Sequence, residues 1–242
     1  MKNKILSICI GTNNGNLSGS NNDSILFYNF LNKLYKLNKF NEYWLKPFLI
    51  SDDNLFIKEI CSKIKESDLN FKYLLIFYSG HGYKEGTLNI MNDNYTRIND
   101  MEFIKNISDS INQDIDLYII LDSCFGGSFK MLPYQNIKKI NLIASTQYNQ
   151  EASEGITTIE QIKKIFNKLE YSFKLDMIGK SLVMGIFTYN IVYLLNKFDF
   201  YSINEWYEIF DEENSEKIWN RIQCLANQKP LIIWNNKTIN QE

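Results

Sequence analysis

Short apolar segments rich in β-branched and aromatic residues alternate along this chain with longer amphipathic segments. Apolar runs of this kind form the buried strands of parallel sheets, and amphipathic segments form the helices that connect and cover them. The first half of the chain follows the order β-α-β-α-β-α-β. The pattern therefore predicts an α/β fold, a three-layer αβα sandwich around a mostly parallel central sheet of six or slightly more strands.

The boundaries of these elements follow from the apolar periodicity and from capping residues. Asn99 and Asp100 are both suited to cap the third helix. No internal repeat or Pro/Gly/Ser-rich linker interrupts the 242 residues, so we expect one domain over residues 1–242. The predicted strands lie at residues 4–10, 46–50, 72–78, 117–121, 139–144 and 230–234. The predicted helices lie at residues 22–40, 54–67, 99–110, 157–169, 181–197 and 203–226.

Composition argues against several classes of function. The chain has 26 basic and 28 acidic side chains, which leaves no excess positive charge for a nucleic-acid partner. Its apolar runs are far shorter than the roughly 20 residues that cross a bilayer, and the N-terminal one is too short for a secretory signal. The cysteines, Cys9, Cys61, Cys124 and Cys224, are too widely spaced for a disulfide framework or a zinc site. We therefore expect a cytoplasmic protein with free thiols and no membrane partner.

Two predicted strands are followed by residues capable of nucleophilic chemistry. The strand at 72–78 leads into Ser-Gly-His-Gly, which contains His81, the single histidine of the chain. The strand at 117–121 leads into Asp-Ser-Cys-Phe-Gly-Gly, which contains Cys124. Because the carboxyl ends of parallel strands meet at one edge of a sheet, we expect the imidazole and the thiol to share a cleft. This pair is suited to cysteine peptidase chemistry, in which imidazole takes the proton of the attacking thiol.

Each motif alone also has a simpler interpretation. A cysteine after an apolar strand is commonly an inert core residue, and we interpret Cys9, Cys61 and Cys224 in this way. A histidine in a glycine-rich turn is commonly structural. The combination of the only histidine with one cysteine, each in a Gly/Ser turn after a strand, favours the catalytic interpretation.

With these motifs the chain resembles the caspase-like cysteine peptidases, and among them the metacaspases. That family has its histidine in an S-G-H-G turn and its nucleophile in a D-S-C turn, roughly fifty residues apart. The resemblance covers nearly the whole chain and implies the caspase-like form of the sandwich. Similar segments are S-G-H-G at 79–82, D-S-C at 122–124, L-S-G-S-N-N-D at 17–23, I-A-S-T to E-A at 143–152, G-I-F-T-Y at 185–189 and Q-K-P at 228–230.

The resemblance implies the catalytic roles. Cys124 is the expected nucleophile and His81 the expected general acid and base. The backbone N–H groups of Gly82 and Cys124 are expected to form the oxyanion hole. The family needs no third carboxylate to orient the imidazole, and the sequence identifies none.

The resemblance also implies a substrate pocket. In metacaspases the residues that match Asp23 and Asp122 line the pocket for the side chain before the scissile bond, with those that match Ser20 and Ser79 beside them. Two carboxylates in one pocket repel each other, and a bound Arg or Lys relieves that repulsion. We therefore expect cleavage of protein or peptide substrates after Arg or Lys. The alternatives are that Asp23 stabilises a helix N-terminus and that Asp122 stabilises a turn.

The chain departs from the family at the segments associated with calcium and processing. Residues 83–88 lack the clustered aspartates of many calcium-activated metacaspases, and Ca²⁺ needs six or more oxygens. Asp93, Asn94 and Asp100 are possible Ca²⁺ ligands, but we interpret them as solvated surface residues, so no metal or cofactor is predicted. The turn 125–127 differs from the usual His-Ser-Gly type. We expect no prodomain and no long linker after Cys124, and therefore a single chain that works without cleavage into two parts. The resemblance implies a monomer, because metacaspases are mostly monomeric.

Two other functions remain open at this point. One is a catalytically idle caspase-like module that binds peptides or a protein partner, although a binding role does not require the His81 and Cys124 pair. The other is a dinucleotide- or phosphate-binding protein, suggested by the glycines of residues 11–16. That segment lacks the G-x-G-x-x-G spacing, so the indication is weak.

Overall fold

The computed structural model describes residues 3–15, 17–37, 42–67, 70–130, 132, 134–166, 181–197, 202–210, 220, 228–234 and 237–239. The strands in this part of the chain are β1 (Asn3–Gly11), β2 (Glu42–Trp44), β3 (Phe48–Ser51), β4 (Tyr73–Ser79), β5 (Gly82–Tyr83), β6 (Thr87–Leu88), β7 (Ile115–Asp122), β8 (Ile137–Ala144), β9 (Glu154–Thr158), β10 (Ser181–Gly185), β11 (Leu231–Trp234) and β12 (Lys237–Ile239).

Five α-helices are present among the described residues. Asn99 caps the third, because its side chain accepts a hydrogen bond from the backbone N–H of Glu102 at 2.9 Å, as predicted. The helices are α1 (Ser20–Leu37), α2 (Ile57–Glu66), α3 (Asp100–Asp109), α4 (Ile159–Phe166) and α5 (Ile186–Lys197). Short 3₁₀ segments occur at Lys84–Gly86, Gly126–Ser128 and Ile203–Phe210. None of these helices is both long and apolar enough to cross a membrane.

The central sheet has eight strands in the order β12-β11-β8-β7-β4-β1-β2, and β3 also pairs with β1. The six strands from β1 to β8 that belong to it are parallel to one another. Strand β11 pairs antiparallel with β8, and β12 pairs antiparallel with β11. In register, Gly11 of β1 lies opposite Ser79 of β4, which lies opposite Asp122 of β7. The carboxyl ends of the three central strands therefore finish at the same level, and the predicted mostly parallel α/β sheet is confirmed.

Helices cover both faces of this sheet. On one face α1 and α5 bury their apolar side chains, and Phe27 of α1 stacks on Phe77 of β4 with ring centroids 4.3 Å apart. On the other face α2 and α3 do so, for example through Ile60 and Phe103. Burial of these side chains supplies the main stabilisation of the fold. The arrangement is compatible with the predicted three-layer sandwich.

The secondary-structure prediction was wrong around two strands. Residues 157–158 and 181–185 were predicted to be helical, but they belong to β9 and β10, which pair antiparallel with Gly185 opposite Glu154. Cross-strand pairing between segments distant in sequence outweighed the local helical pattern, which a single window of sequence cannot reveal. Strand β2 was not predicted either. The predicted helical residues 38–40, 167–169, 211–219 and 221–226 lie outside the described residues.

Candidate active site

The sheet brings the histidine turn and the cysteine turn side by side. These turns follow β4 and β7, and the backbone N–H of Gly80 donates to the carbonyl of Asp122 at 3.3 Å. A Cβ at Gly82 would collide with the backbone carbonyl of Cys124, so only glycine permits this approach. The backbone of the histidine turn thus contacts the backbone of the cysteine turn, as the order of the strands requires.

The imidazole of His81 is oriented by a backbone carbonyl. Its Nε2 lies 2.6 Å from the carbonyl oxygen of Asn14, in the loop between β1 and α1. Because a carbonyl only accepts, Nε2 carries the hydrogen, and Nδ1 of the neutral ring is free to accept a proton. No sequence motif pointed to Asn14, since a backbone acceptor can be supplied by any residue type.

The thiol of Cys124 is half-buried and accepts a hydrogen bond from the N–H of Ala152 at 3.3 Å. Burial raises the pKa of this thiol, and the negative charges of Glu151 and Asp122 raise it further, against the opposing effect of the Ala152 N–H. The thiol is therefore protonated at neutral pH and needs a base to become a nucleophile.

The remaining cysteines behave differently from Cys124. Cys9 and Cys61 are buried in the two cores, and burial raises the pKa of both thiols. This agrees with the prediction that they are inert core residues. Cys224 lies outside the described residues.

The turn after Cys124 has an unusual backbone conformation. Phe125 has a φ of 54°, in the left-handed region that costs a non-glycine residue roughly 1–2 kcal/mol. Its N–H donates to the carbonyl of Gln150 at 2.7 Å, and the N–H of Gly126 donates to Oγ1 of Thr146 at 2.9 Å. The segment after β8 therefore holds the cysteine turn in place.

The two predicted pocket aspartates are buried and hydrogen-bonded. Asp23, only 1% exposed, accepts at Oδ2 from the hydroxyl of Ser79 and at Oδ1 from the N–H of Gly185, both at 2.8 Å. Asp122, 4% exposed, accepts at Oδ2 from the hydroxyl of Thr188 at 2.6 Å and from its N–H at 3.1 Å. Asp23 thus contacts β4 and β10 rather than the N–H groups of its own helix, and Asp122 contacts the first turn of α5.

Both aspartates experience an environment that disfavours their charge. Burial raises the pKa of Asp23 well above its usual range, and the nearby charge of Asp122 raises it further. Burial also raises the pKa of Asp122 despite its hydrogen bonds to Thr188. The charge of Glu154 adds to the increase at both sites. A cation that entered this region would relieve the repulsion.

A cavity at this edge of the sheet joins the thiol to the carboxylates. None of the described residues that line it is Lys or Arg. The predicted residues Ser20, Asp23, Ser79, Asp122 and Cys124 all lie in its wall, whereas His81 and Gly82 do not. The other lining residues are Leu17, Gly80, Ala152, Ser153, Glu154 and Gly185.

Glu154 is a third acidic residue in the cavity wall, and the sequence did not single it out. Its Oε1 accepts from the N–H of Gly19 at 2.6 Å and from the N–H of Ser18 at 3.3 Å. It thereby connects β9 to the loop that precedes α1. Only the pairing of β9 with β10, which was not predicted, brings Glu154 to the cavity.

Gly185 lies directly against both aspartates. A Cβ at this position would collide with the carboxylate of Asp122 and would lie 2.8 Å from Oδ2 of Asp23. The absence of a side chain at this position thus leaves the space that the two carboxylates occupy.

A calcium site is not evident among the residues that the structure describes. They contain no group of three or more His, Cys, Asp or Glu residues placed to hold a metal ion. Asp93 is exposed, as predicted, but the prediction for Asp100 was wrong. Asp100 is buried, and its Oδ2 accepts from the N–H of Lys130 at 2.6 Å, because its role is to tie α3 to the loop after the cysteine turn.

Comparison with known proteins did not identify a family. No protein-family model matches the sequence, and a search of curated proteins found no significant match.

Proposed function

We propose that this chain is a caspase-like cysteine endopeptidase of the metacaspase type, with one peptidase domain that hydrolyses peptide bonds after Arg or Lys. The cavity shared by Cys124 and buried carboxylates, beside the turn that carries His81, is the observation that carries this proposal. A thiol supplies the nucleophile, an imidazole the base, and the carboxylates the preference for a cation.

In the first half of the reaction, Nδ1 of His81 takes the proton of the Cys124 thiol, and the thiolate attacks the carbonyl carbon of the scissile bond. The tetrahedral intermediate collapses when the imidazolium gives its proton to the leaving amine, which leaves an acyl group on sulfur. In the second half, His81 takes a proton from water, and the hydroxide attacks the carbonyl carbon of the thioester. The carbon–sulfur bond then breaks, the acid product leaves, and the imidazolium returns its proton to the sulfur of Cys124. The Asn14 carbonyl keeps Nε2 protonated throughout.

The backbone N–H groups of Gly82 and Cys124 are the proposed oxyanion donors. The close approach of these two backbones supports this assignment. Removal of one such donor in other enzymes costs roughly 3–4 kcal/mol of transition-state stabilisation.

The substrate side chain before the scissile bond would enter the acidic cavity. Asp23, Asp122 and Glu154 supply its negative charge, and Ser20 and Ser79 line its wall. A bound guanidinium or ammonium group would form charge-assisted hydrogen bonds there and would offset the repulsion between the carboxylates.

The enzyme is also proposed to act as a cytoplasmic monomer without a metal or cofactor. Strand β12 pairs with β11 and so occupies the outer edge of that strand, through which a second copy of the sheet would otherwise extend. Light scattering should give the mass of one chain, and a calcium chelator should leave peptide hydrolysis unchanged.

Hydrolysis of peptides that differ only in the residue before the cut tests the main proposal. Arg and Lys peptides should be hydrolysed, an Asp peptide should not, and Cys124→Ala or His81→Ala should reduce kcat/KM by at least about a thousandfold. Cys61→Ala is the control, because that thiol lies in the core away from the cavity. A peptidyl-arginine chloromethyl ketone should alkylate Cys124 alone. Peptide binding without hydrolysis or labelling would instead support the idle module.

A further inference from the structure

A stacked arginine lies near His81, outside the wall of the acidic cavity. The ring of Tyr83 in β5 has its centroid 6.2 Å from that of the His81 imidazole. The guanidinium of Arg97 lies over the Tyr83 ring, with 4.2 Å from Cζ to the ring centroid. The sequence contains only two arginines, and the other, Arg221, lies outside the described residues.

The guanidinium of Arg97 is exposed but held in a defined position. Its Nε donates to Oδ1 of Asn89 at 3.1 Å, and Asn89 is itself buried, with its N–H 3.2 Å from the hydroxyl of Tyr78. That hydroxyl donates to the carbonyl of His81 at 2.8 Å. The arginine and the histidine are thus connected through one hydrogen-bonded group of residues.

Arg97 has the chemistry of a carboxylate-binding site. Among the residues that the structure describes, no carboxylate forms an ion pair with it. Its planar guanidinium can bind a carboxylate through two parallel hydrogen bonds, a geometry that a lysine cannot offer. The buried Nδ2 of Asn89 has no hydrogen-bond partner among the described residues.

The position of His81 relates this site to the substrate. An imidazolium that protonates the leaving amine must lie next to the leaving half of the peptide. The two ring distances given above together set the upper limit on the separation of the guanidinium from the imidazole. An extended chain advances roughly 3.4 Å per residue, so three residues are enough to span it. We propose that Arg97, stacked on Tyr83, binds an acidic side chain two or three residues after the scissile bond.

This inference rests on the proposed function and adds a second requirement to the substrate. The preferred sequence would have a basic residue before the cut and an acidic residue shortly after it. The acidic cavity and the cationic site would then bind opposite charges on either side of the reacting atoms. A peptide bound in the wrong direction would place like charges together, so the arrangement also favours one direction of binding.

The test uses peptides with Arg before the cut and either Glu or Gln at the second and third positions after it. The Glu peptides should have a kcat/KM about fivefold higher at low salt, the size expected for an exposed ion pair, and 0.5 M NaCl should reduce the difference. Arg97→Gln should abolish the preference, and Arg97→Lys should retain part of it. Lys58→Gln is a matched control, because Lys58 also lies over an aromatic ring, that of Phe56, at 4.8 Å.

A second measurement separates this inference from the proposed function. Cys124→Ala should bind the uncleaved Glu peptides more tightly than the Gln peptides in fluorescence anisotropy, and Arg97→Gln in the same background should remove the difference. Binding with this preference but no hydrolysis by the unaltered protein would support the carboxylate site and contradict the peptidase. Hydrolysis without a Glu preference, or with one that Arg97→Gln leaves intact, would overturn the carboxylate site alone.

Discussion

The acidic side and the imidazole side of the candidate site are held in place in different ways. Asp23 and Asp122 are buried, and their partners come from β4, β10 and α5. The imidazole of His81, by contrast, is oriented by one carbonyl, that of Asn14, in a loop. The acidic side is therefore part of the core, where a change should affect both folding and substrate choice. A change on the imidazole side should affect mainly the rate of the chemical step.

Among the substitutions that compare the two sides, the largest effect is expected from Gly185→Ala on the acidic side. The added methyl group would collide with the Asp122 carboxylate and displace both aspartates. Such overpacking typically costs 1–3 kcal/mol of stability, and displacement of positioning groups by about 1 Å can reduce rates a hundredfold. We expect both losses, measured by urea unfolding and by kcat/KM on an Arg peptide.

Gly155→Ala provides the control for this variant. Gly155 lies on the neighbouring strand β9, and a Cβ there would lie 3.1 Å from Cγ1 of Ile186, a contact that a shift of a few tenths of an ångström relieves. It should therefore change stability and hydrolysis little. Equal effects of the two substitutions would mean that the paired strands β9 and β10 as a whole, rather than the carboxylates, are sensitive.

The next effect concerns the pH dependence of stability. The pKa of Asp23 is raised in the folded state, so folding favours its protonated form. Its contribution to stability is complete below the ordinary aspartate pKa of about 4 and is lost as the pH rises through the raised value. Stability should thus fall with increasing pH in this range, by up to about 1.4 kcal/mol per pH unit for one proton. Unfolding free energies at several pH values above 4 measure this slope.

Asp23→Asn should flatten that slope, because an amide keeps an acceptor for the Gly185 N–H but does not titrate. Asp93→Asn serves as the control, since the Asp93 side chain is 81% exposed. If the unfolding free energies of Asp23→Asn and the unaltered protein changed equally with pH, the charge of Asp23 would not destabilise the folded state. The acidic side would then not differ from the imidazole side in this respect.

The same comparison shows which parts of the site could be predicted from the sequence. Strand ends with apolar runs before them are local features, so β4 and β7 and the residues that follow them were placed correctly. Ser20, Asp23, Ser79, Asp122 and Cys124 do lie around one cavity. Their catalytic and binding roles remain predictions.

The residues that were missed depend on long-range geometry. Glu154 reaches the cavity through the pairing of β9 with β10, and Asn14 contributes only a backbone oxygen. Neither contact leaves a pattern in the neighbouring sequence. The exposed position of Arg97 over Tyr83 was likewise not predictable, because the two residues come together only when the chain folds.

A smaller effect is expected on the imidazole side from Gly15→Ala. Gly15 has a φ of 69°, which costs alanine roughly 1–2 kcal/mol, although the site of its Cβ, 3.7 Å from Nε2 of His81, is not crowded. A shift of this loop would move the Asn14 carbonyl, so kcat should fall about threefold to tenfold with KM nearly unchanged. Gly15→Asn should be milder, because asparagine tolerates left-handed backbone. An increase in KM alone would assign the loop to substrate binding instead.

The smallest expected effect is a change in the reactivity of the Cys124 thiol when charge in the acidic cavity is neutralised. Burial is the main reason that the pKa of Cys124 is raised, and the charge of Asp122 contributes to the increase. Ethylguanidine in the cavity should neutralise part of that charge, favour the thiolate and accelerate alkylation of Cys124 by iodoacetamide about twofold to fivefold. Intact-mass measurements over time would follow the reaction, with ethylurea as the uncharged control. Asp23→Asn should weaken the response, because it removes one of the carboxylates proposed to bind the guanidinium. Slower alkylation with ethylguanidine would mean that the occupied cavity shields the thiol instead of activating it.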